Sequence, residues 1–391
     1  MWFLKKYFSG LTISTLLLTF TSLFADISTE MLYPVLPIFL TQTLGASASI
    51  VGLIEGIATA TQNIVQGFSG WFADTIQKRK PVALVGYTLA ALSKPYMGAA
   101  VVWQQVLLGR FGDRFGTGVR SAPRDGLIAA SAKEASRGKA FGLEGIGDNF
   151  GAFIGPLLAA LLLFVFFIPI RWIFYIAIIP GFLAVLMITF VKEKHTQKST
   201  QKKRLGFSGL TKGYWHYMVI TALFGLGNSS NAFLILRTKD IGIPFVITII
   251  IYAFFNLVAA VSSFPAGSLS DTFGRKNVLL GSFVIFIVTY AGFAFTTNYY
   301  LLGFCFILYG IFSGAYRAVG KALATDYVVP EVRASAVGWF NTVIGLTGLI
   351  ASSVGGVLWT NINPSATFVY AAIFGILGTI ALVFLPKEAI A

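Results

Sequence analysis

Apolar runs long enough to cross a bilayer, each set off by a short polar connection, fill almost the whole chain. A spanning helix needs about 20 mostly apolar residues. Twelve runs meet that need, near 9–41, 48–73, 81–102, 104–127, 138–165, 169–190, 214–237, 244–270, 277–296, 300–327, 332–360 and 364–386. They are continuous, whereas membrane strands alternate in polarity over about 10 residues, so the runs predict helices and not a barrel. Only the connection from Val191 to Gly213 is long and polar, and it divides the runs six and six. Its composition, with His195 in its midst, predicts a flexible basic linker.

Composition narrows the class. Hydrophobic residues are 56% of the 391 and charged residues 11%, against about 25% charged in soluble domains. So few charges cannot cover a soluble fold. A cytosolic enzyme, a disordered chain and a secreted disulfide scaffold are excluded, the last also because Cys305 is the single cysteine. The expected class is an all-α integral membrane protein.

The net charge of +14 is then a statement about sidedness. Of 29 basic residues, 20 fall in the connections on one side, from Lys5 and Lys6 through Lys78, Arg79 and Lys80 to Lys387. Arg171, Arg237 and Lys239 fall on the other, and six lie within runs. The positive-inside rule puts both termini in the cytoplasm, in a bacterial plasma (inner) membrane. The basic excess then signals topology and lipid contact, not nucleic acid. Lys5 and Lys6 precede an apolar run as in a signal peptide, but no small-x-small cleavage site follows, so that run is expected to stay as the first span.

The halves repeat. Gly70-Trp-Phe-Ala-Asp74-Thr-Ile-Gln77-Lys78-Arg79-Lys80 follows the second run, and Gly267-Ser-Leu-Ser-Asp271-Thr-Phe-Gly274-Arg275-Lys276 follows the eighth. Asp74 and Asp271 are 197 residues apart, and Arg120 and Arg317 share that offset. The offset predicts a duplicated six-helix unit: residues 1–190, a cytoplasmic basic linker at 191–213, and residues 214–391.

With these motifs the chain resembles the major facilitator superfamily. The family's loop motif is G-x-x-x-D-(R/K)-x-G-R-(R/K). The second copy departs from it at Thr272, the first at Thr75 and Gln77. The antiporter signature of the fifth span, G-x(8)-G-x(3)-G-P-x(2)-G-G, is matched by Gly142, Gly151, Gly155 and Pro156, with Ala159-Ala160 in place of the last two glycines. The resemblance implies the major facilitator fold, with twelve transmembrane helices in two pseudo-symmetric bundles around a central cavity. It implies an exporter working by antiport, with small residues for helix packing as the other reading of the signature. It also implies gating by the loops, in which Asp74 meets a helix N-terminus and Lys78 pairs with Asp125.

Ionisable groups inside spans are costly and functional by default. Asp26 and Glu30 share one face of the first run, and Glu144 and Asp148 one face of the fifth. Glu55 and Lys94 lie in the outer halves of the second and third runs. At about 1.5 Å per residue, Arg110 lies roughly 9 Å, and Asp113 and Arg114 roughly 14 Å, below the outer end of the fourth. The C-terminal runs offer mainly Asn228, Asn231, Asn256 and Asn341, as amide contacts for a substrate. Ion coupling is thus expected in the N-terminal half. Static pairs such as Asp113 with Arg110, or Glu55 with Lys94, are the other reading of these charges.

The expected function is a secondary active transporter, a proton-coupled exporter of a small organic molecule. An importer of an organic anion or iron chelate is the rival on the same fold, and a membrane-embedded enzyme the more distant one. The absence of a GxxxxGK(S/T) phosphate loop argues against ATP as the driving force. No cofactor, no metal and a monomer are expected, with the proton gradient as the energy source.

Overall fold

The computed structural model describes residues 11–76, 78–132, 136–193, 210–329 and 332–386. The basic segment 194–209, with His195, lies outside the described residues, as do Lys5, Lys6, Lys133 and Lys387. Twelve helical stretches appear among the described residues, in the expected order. They are α1 (Ile13–Glu30, resumed at Leu36–Ile38 and a π-helical turn Phe39–Thr43), α2 (Ala48–Ile76), α3 (Arg79–Ala99), α4 (Trp103–Ser131), α5 (Arg137–Phe164) and α6 (Ile170–Ile176 and Ile178–Thr189). Then come α7 (Lys212–Gly225 and Ala232–Asp240), α8 (Phe245–Phe273), α9 (Arg275–Phe295), α10 (Tyr299–Asp326), α11 (Arg333–Asn361) and α12 (Pro364–Val383). Strands are absent among the described residues, apart from one isolated bridge between Leu210 and Val328.

Eight of the described helices are long and apolar enough to cross a membrane. The other four are α1, α3, α4 and α7; α1 and α7 are interrupted, and α3 and α4 carry the buried Lys94, Arg110, Asp113 and Arg120. The break in α1 precedes Pro34, whose ring disfavours helix in the residue before it. The break in α7 spans Leu226–Asn231, where freed backbone groups find side chains. The Ser230 amide donates to Ser352 Oγ (3.0 Å) and the Ala232 amide to Ser230 Oγ (3.2 Å). Irregular backbone at membrane depth is tolerated only when satisfied in this way.

The chain forms two compact units. The first holds residues 1–32, 65–100 and 104–204. In it α1 packs along α5 with unusually close backbones: a methyl group on Gly151 would stand 2.5 Å from the Leu23 carbonyl oxygen. Gly147 and Gly155 meet Thr19 and Ile27 in the same manner, so glycines at every fourth position let the helices touch. The second unit holds residues 33–64, 101–103 and 205–391. Its interior is aromatic. Phe224 stacks on Phe283 at 3.7 Å between ring centroids, and Phe286 on Tyr290 at 4.0 Å.

The repeat is real, but its register changes once. The bounds of α8 follow those of α2 by 197 residues, whereas α9, α10 and α11 begin 196 residues after α3, α4 and α5. Two residues separate α2 from α3, and only Gly274 separates α8 from α9. Gly274 makes that turn alone because it adopts φ +86°, a left-handed value that suits glycine. The expected match of Arg120 with Arg317 is therefore one residue off, and Arg120 corresponds to Tyr316.

Candidate functional site

The buried charges of the first unit gather into two groups. The first group centres on Asp113, which is 1% exposed. Helix α4 supplies Arg110, whose guanidinium donates to Asp113 Oδ2 at 3.2 Å, and Arg114, whose Nε lies 3.6 Å from the same oxygen. Helix α3 supplies Lys94, with Nζ 3.8 Å from Asp113 Oδ1 and 3.4 Å from Thr29 Oγ1. Close approach of α3 and α4 at Gly86 and Gly116 makes this reach possible: a methyl on Gly116 would stand 2.5 Å from the Gly86 carbonyl oxygen.

The second group joins α1, α4 and α5, and its hub is Arg124, near the end of the fourth apolar run. Helix α4 runs on to Ser131, which carries Arg124 into the bundle. Its guanidinium meets Glu144 Oε1 at 3.0 Å, Asp148 Oδ1 at 3.7 Å and Asp125 Oδ1 at 3.1 Å, and donates to Ser22 Oγ at 3.2 Å. Ser22 donates in turn to Glu144 at 2.8 Å. Asp26 packs on α5 at Gly151, about one turn from Asp148. Glu30, one helical turn beyond Asp26, sits against α5 at Gly155. Gly142 lies on the exposed face of α5, whereas Gly151, Gly155 and Pro156 are buried.

Between the two groups stands Arg120, 5% exposed, its guanidinium 4.4 Å over the Tyr87 ring. Glu55 belongs to the second unit; it is buried and faces Ser230 Oγ at 3.5 Å.

The loops show parallel chemistry. Arg79 donates to the Gly126 carbonyl (3.4 Å) and Arg275 to the Ala322 carbonyl (2.9 Å), each reaching the residue 47 positions later. Arg275 also pairs with Asp326. Lys80 and Lys276 cap helix C-termini, at Thr189 (2.6 Å) and Val383 (2.8 Å). Arg79 and Lys80 thus stand where Arg275 and Lys276 do, as the 196 register requires. The first amides of α3, on Arg79 and Lys80, donate to Glu193 (2.7 and 3.3 Å), a carboxylate at a helix N-terminus where anions are favoured. Sequence reasoning missed Glu193, because a charge in a polar linker reads as solvated. Asp74 stands in α2 with its side chain outside those described, Gly70 lies four residues before it, Lys78 is exposed, and Gly267 and Asp271 lie near the end of α8.

The asparagines scatter within the second unit. Asn231, at the α7 break, accepts from the Tyr309 hydroxyl at 2.7 Å. Asn341 is buried in α11, while Asn228 and Asn256 are half-buried.

The corrected register exposes what the duplication changed. Lys94 and Asp113 correspond to Tyr290 and Tyr309, whose rings lie 5.9 Å apart. Tyr87 and Arg120 correspond to Phe283 and Tyr316, 6.1 Å apart. Arg124 and Glu144 correspond to Gly320 and Phe340, which also touch: a methyl on Gly320 would stand 3.2 Å from the Phe340 ring. Three charged contacts of one half are apolar or aromatic contacts in the other.

Comparison with known proteins agrees with this architecture. The family description of the Major Facilitator Superfamily matches residues 18–234 and 215–390. An uncharacterized MFS-type transporter of Methanocaldococcus jannaschii is 35% identical over 376 residues, 94% of each chain. The class B tetracycline resistance protein of Escherichia coli is 30% identical over 154 residues, 39% of this chain and 37% of that one. The solved nucleoside transporter NupG, as a point variant, superposes with a TM-score of 0.80 over 96% of this chain and all of its own, at 17% identity, a likeness of fold alone. A duplicated, almost wholly helical chain matched along both halves belongs to the Major Facilitator Superfamily, whose members are multi-pass membrane transporters and not enzymes.

Proposed function

We propose that the chain is a proton-coupled exporter of a small organic molecule, acting by antiport. The observation that carries this is the carboxylate cluster around Arg124, whose guanidinium meets both Glu144 and Asp148, with Asp26 packed on α5 at Gly151, about one turn from Asp148. A carrier that exchanges protons for substrate needs a carboxyl group that gains and loses a proton as its surroundings change. Burial favours the neutral form and a nearby cation the charged form. Arg124 touches both Glu144 and Asp148, so a shift of one helix turn's fraction between α4 and α5 changes which carboxylate it neutralises.

Two further features support export. The glycine-lined contact of α5 with α1 carries the antiporter signature, and one relative is named a tetracycline resistance protein. In this reading the proton gradient is the only energy source, and the protein works as a monomer in a bacterial inner membrane with both termini inside. Residues 1–190 and 214–391 are its two bundles.

The test is flux in proteoliposomes with an imposed pH gradient, over a panel including tetracycline, ethidium and benzoate. Asp26→Asn and Asp148→Asn should abolish gradient-driven accumulation yet keep substrate exchange at equal pH. Gradient-driven accumulation surviving in both variants would remove Asp26–Asp148 as the coupling site.

A further inference from the structure

Arg120 is in an unusual position for a buried cation. It lies three residues past Thr117, the midpoint of α4, which is about 5 Å along the axis. Its Nε and one terminal nitrogen are buried without a hydrogen-bond partner, and so is the hydroxyl of Tyr87, the ring beneath it. Three orphaned polar atoms on two touching side chains are rare, since nearly all buried polar atoms are paired. Each unmade bond leaves the desolvation of its atom uncompensated.

The fold does not require a cation at this place. The corresponding positions of the second half, Phe283 and Tyr316, fill the same helix contact with two rings. The charge also differs in kind from its neighbours. Arg124 is held by carboxylates and Ser22, and Asp113 is held by Lys94, Arg110 and Arg114. Arg120 alone among these has two guanidinium N–H groups left open among the described residues.

We infer that Arg120, with the Tyr87 hydroxyl beside it, binds the anionic group of the transported molecule, so that the substrate is an organic anion bearing a carboxylate or phosphate. A guanidinium offers a planar pair of N–H donors that fits an oxyanion, and such charge-assisted bonds are the strong ones. The Tyr87 ring below holds the guanidinium plane by a cation–π contact, which leaves its N–H edge to the ligand. This deepens the exporter reading and rests on its being a transporter, but not on proton coupling.

The test uses the full chain in phosphatidylcholine nanodiscs and measures binding of labelled benzoate and phenyl phosphate by equilibrium dialysis, with benzamide as the uncharged control. At least one anion should bind while benzamide does not. Arg120→Gln should weaken that binding about 10- to 100-fold, Arg120→Lys should recover part of it, and Arg317→Gln should leave it unchanged. Equal binding by Arg120→Gln and the parent, or binding of benzamide as tight as that of benzoate, overturns the inference. So does failure of both anions to bind. If Arg120→Gln does not fold, the contrast between anion and amide on the parent chain decides alone. Phosphatidylglycerol discs form a last arm: if that lipid displaces the anions, the site takes a lipid headgroup and the substrate assignment falls. Anion binding with no pH-driven flux keeps this inference and sinks the proton-coupled reading; the opposite result does the reverse.

Discussion

The Lys94–Asp113 contact gives the sharpest quantitative test of how charge is held in the first unit. The charges stand 3.8 Å apart with side chains 3% and 1% exposed. At an effective dielectric near 20 their attraction is about 4 kcal/mol. Part of that is offset by the cost of taking both ions out of water. Asp113→Asn strands Lys94, Arg110 and Arg114 together and should cost about 3–5 kcal/mol, the usual penalty for breaking a buried pair from one side. Lys94→Met leaves Asp113 with two arginines and should cost less. The double variant should cost about 2–4 kcal/mol less than the two singles added, which is the coupling. Reversible unfolding in mixed dodecylmaltoside–SDS micelles, followed by circular dichroism, measures all four corners. The cycle Tyr290→Phe with Tyr309→Phe is the control at the corresponding positions. Both rings persist in all four corners, so its coupling reads only the hydroxyls and should stay at or below about 1.5 kcal/mol, the net scale of a neutral hydrogen bond. A Lys94–Asp113 coupling below about 1 kcal/mol would refute the reasoning, because it would mean the two charges do not sense each other in a low-dielectric interior.

Two more expectations concern packing and the loops. Gly151→Val should prevent α1 and α5 from closing and lower the detergent melting temperature sharply, whereas Gly145→Ala, which meets nothing within 4 Å, should not; equal melting of the two variants would contradict the close-packed interface. Arg275→Gln removes contacts to Asp326 and Ala322 from a side chain 31% exposed, so solvent screening holds the stability loss to about 1 kcal/mol. The transport rate should fall more than the affinity does, and an affinity loss at unchanged rate would count against gating by this loop.

Much of the fold is legible in the sequence because membrane spans declare themselves by length and polarity. Helices α2 to α6 and α8 to α12 fall within a few residues of the apolar runs. What does not show is where a run breaks. Residues 9–41 and 214–237 read as single spans, yet α1 and α7 are interrupted, since side-chain partners such as Ser352 that satisfy the freed backbone come from elsewhere in the chain. At the site, spacing along one helix exposes the Arg110–Asp113 pair, an i, i+3 contact. It does not reveal Lys94 as a partner of Asp113, because that contact depends on how tightly α3 and α4 approach. The role of Arg124 is not legible for a related reason: its partners Glu144, Asp148 and Ser22 come from α5 and α1, not from its own helix. The one-residue register change escaped because the duplicated motif is aligned by its aspartates, which precede the turn that differs.

The exchange of ion pairs for rings between the halves has an evolutionary consequence. A ring position accepts Phe, Tyr, Leu or Met with small adjustments, so Tyr290, Phe283 and Tyr316 can change one at a time, whereas Tyr309 is tied to Asn231 by its hydroxyl. A charged position such as Asp113 or Arg124 is locked to its partner, and either change alone passes through a variant with a stranded ion. Descendants of this gene therefore inherit two rates of change, with the second half ready to explore new side chains while the first half waits for paired substitutions.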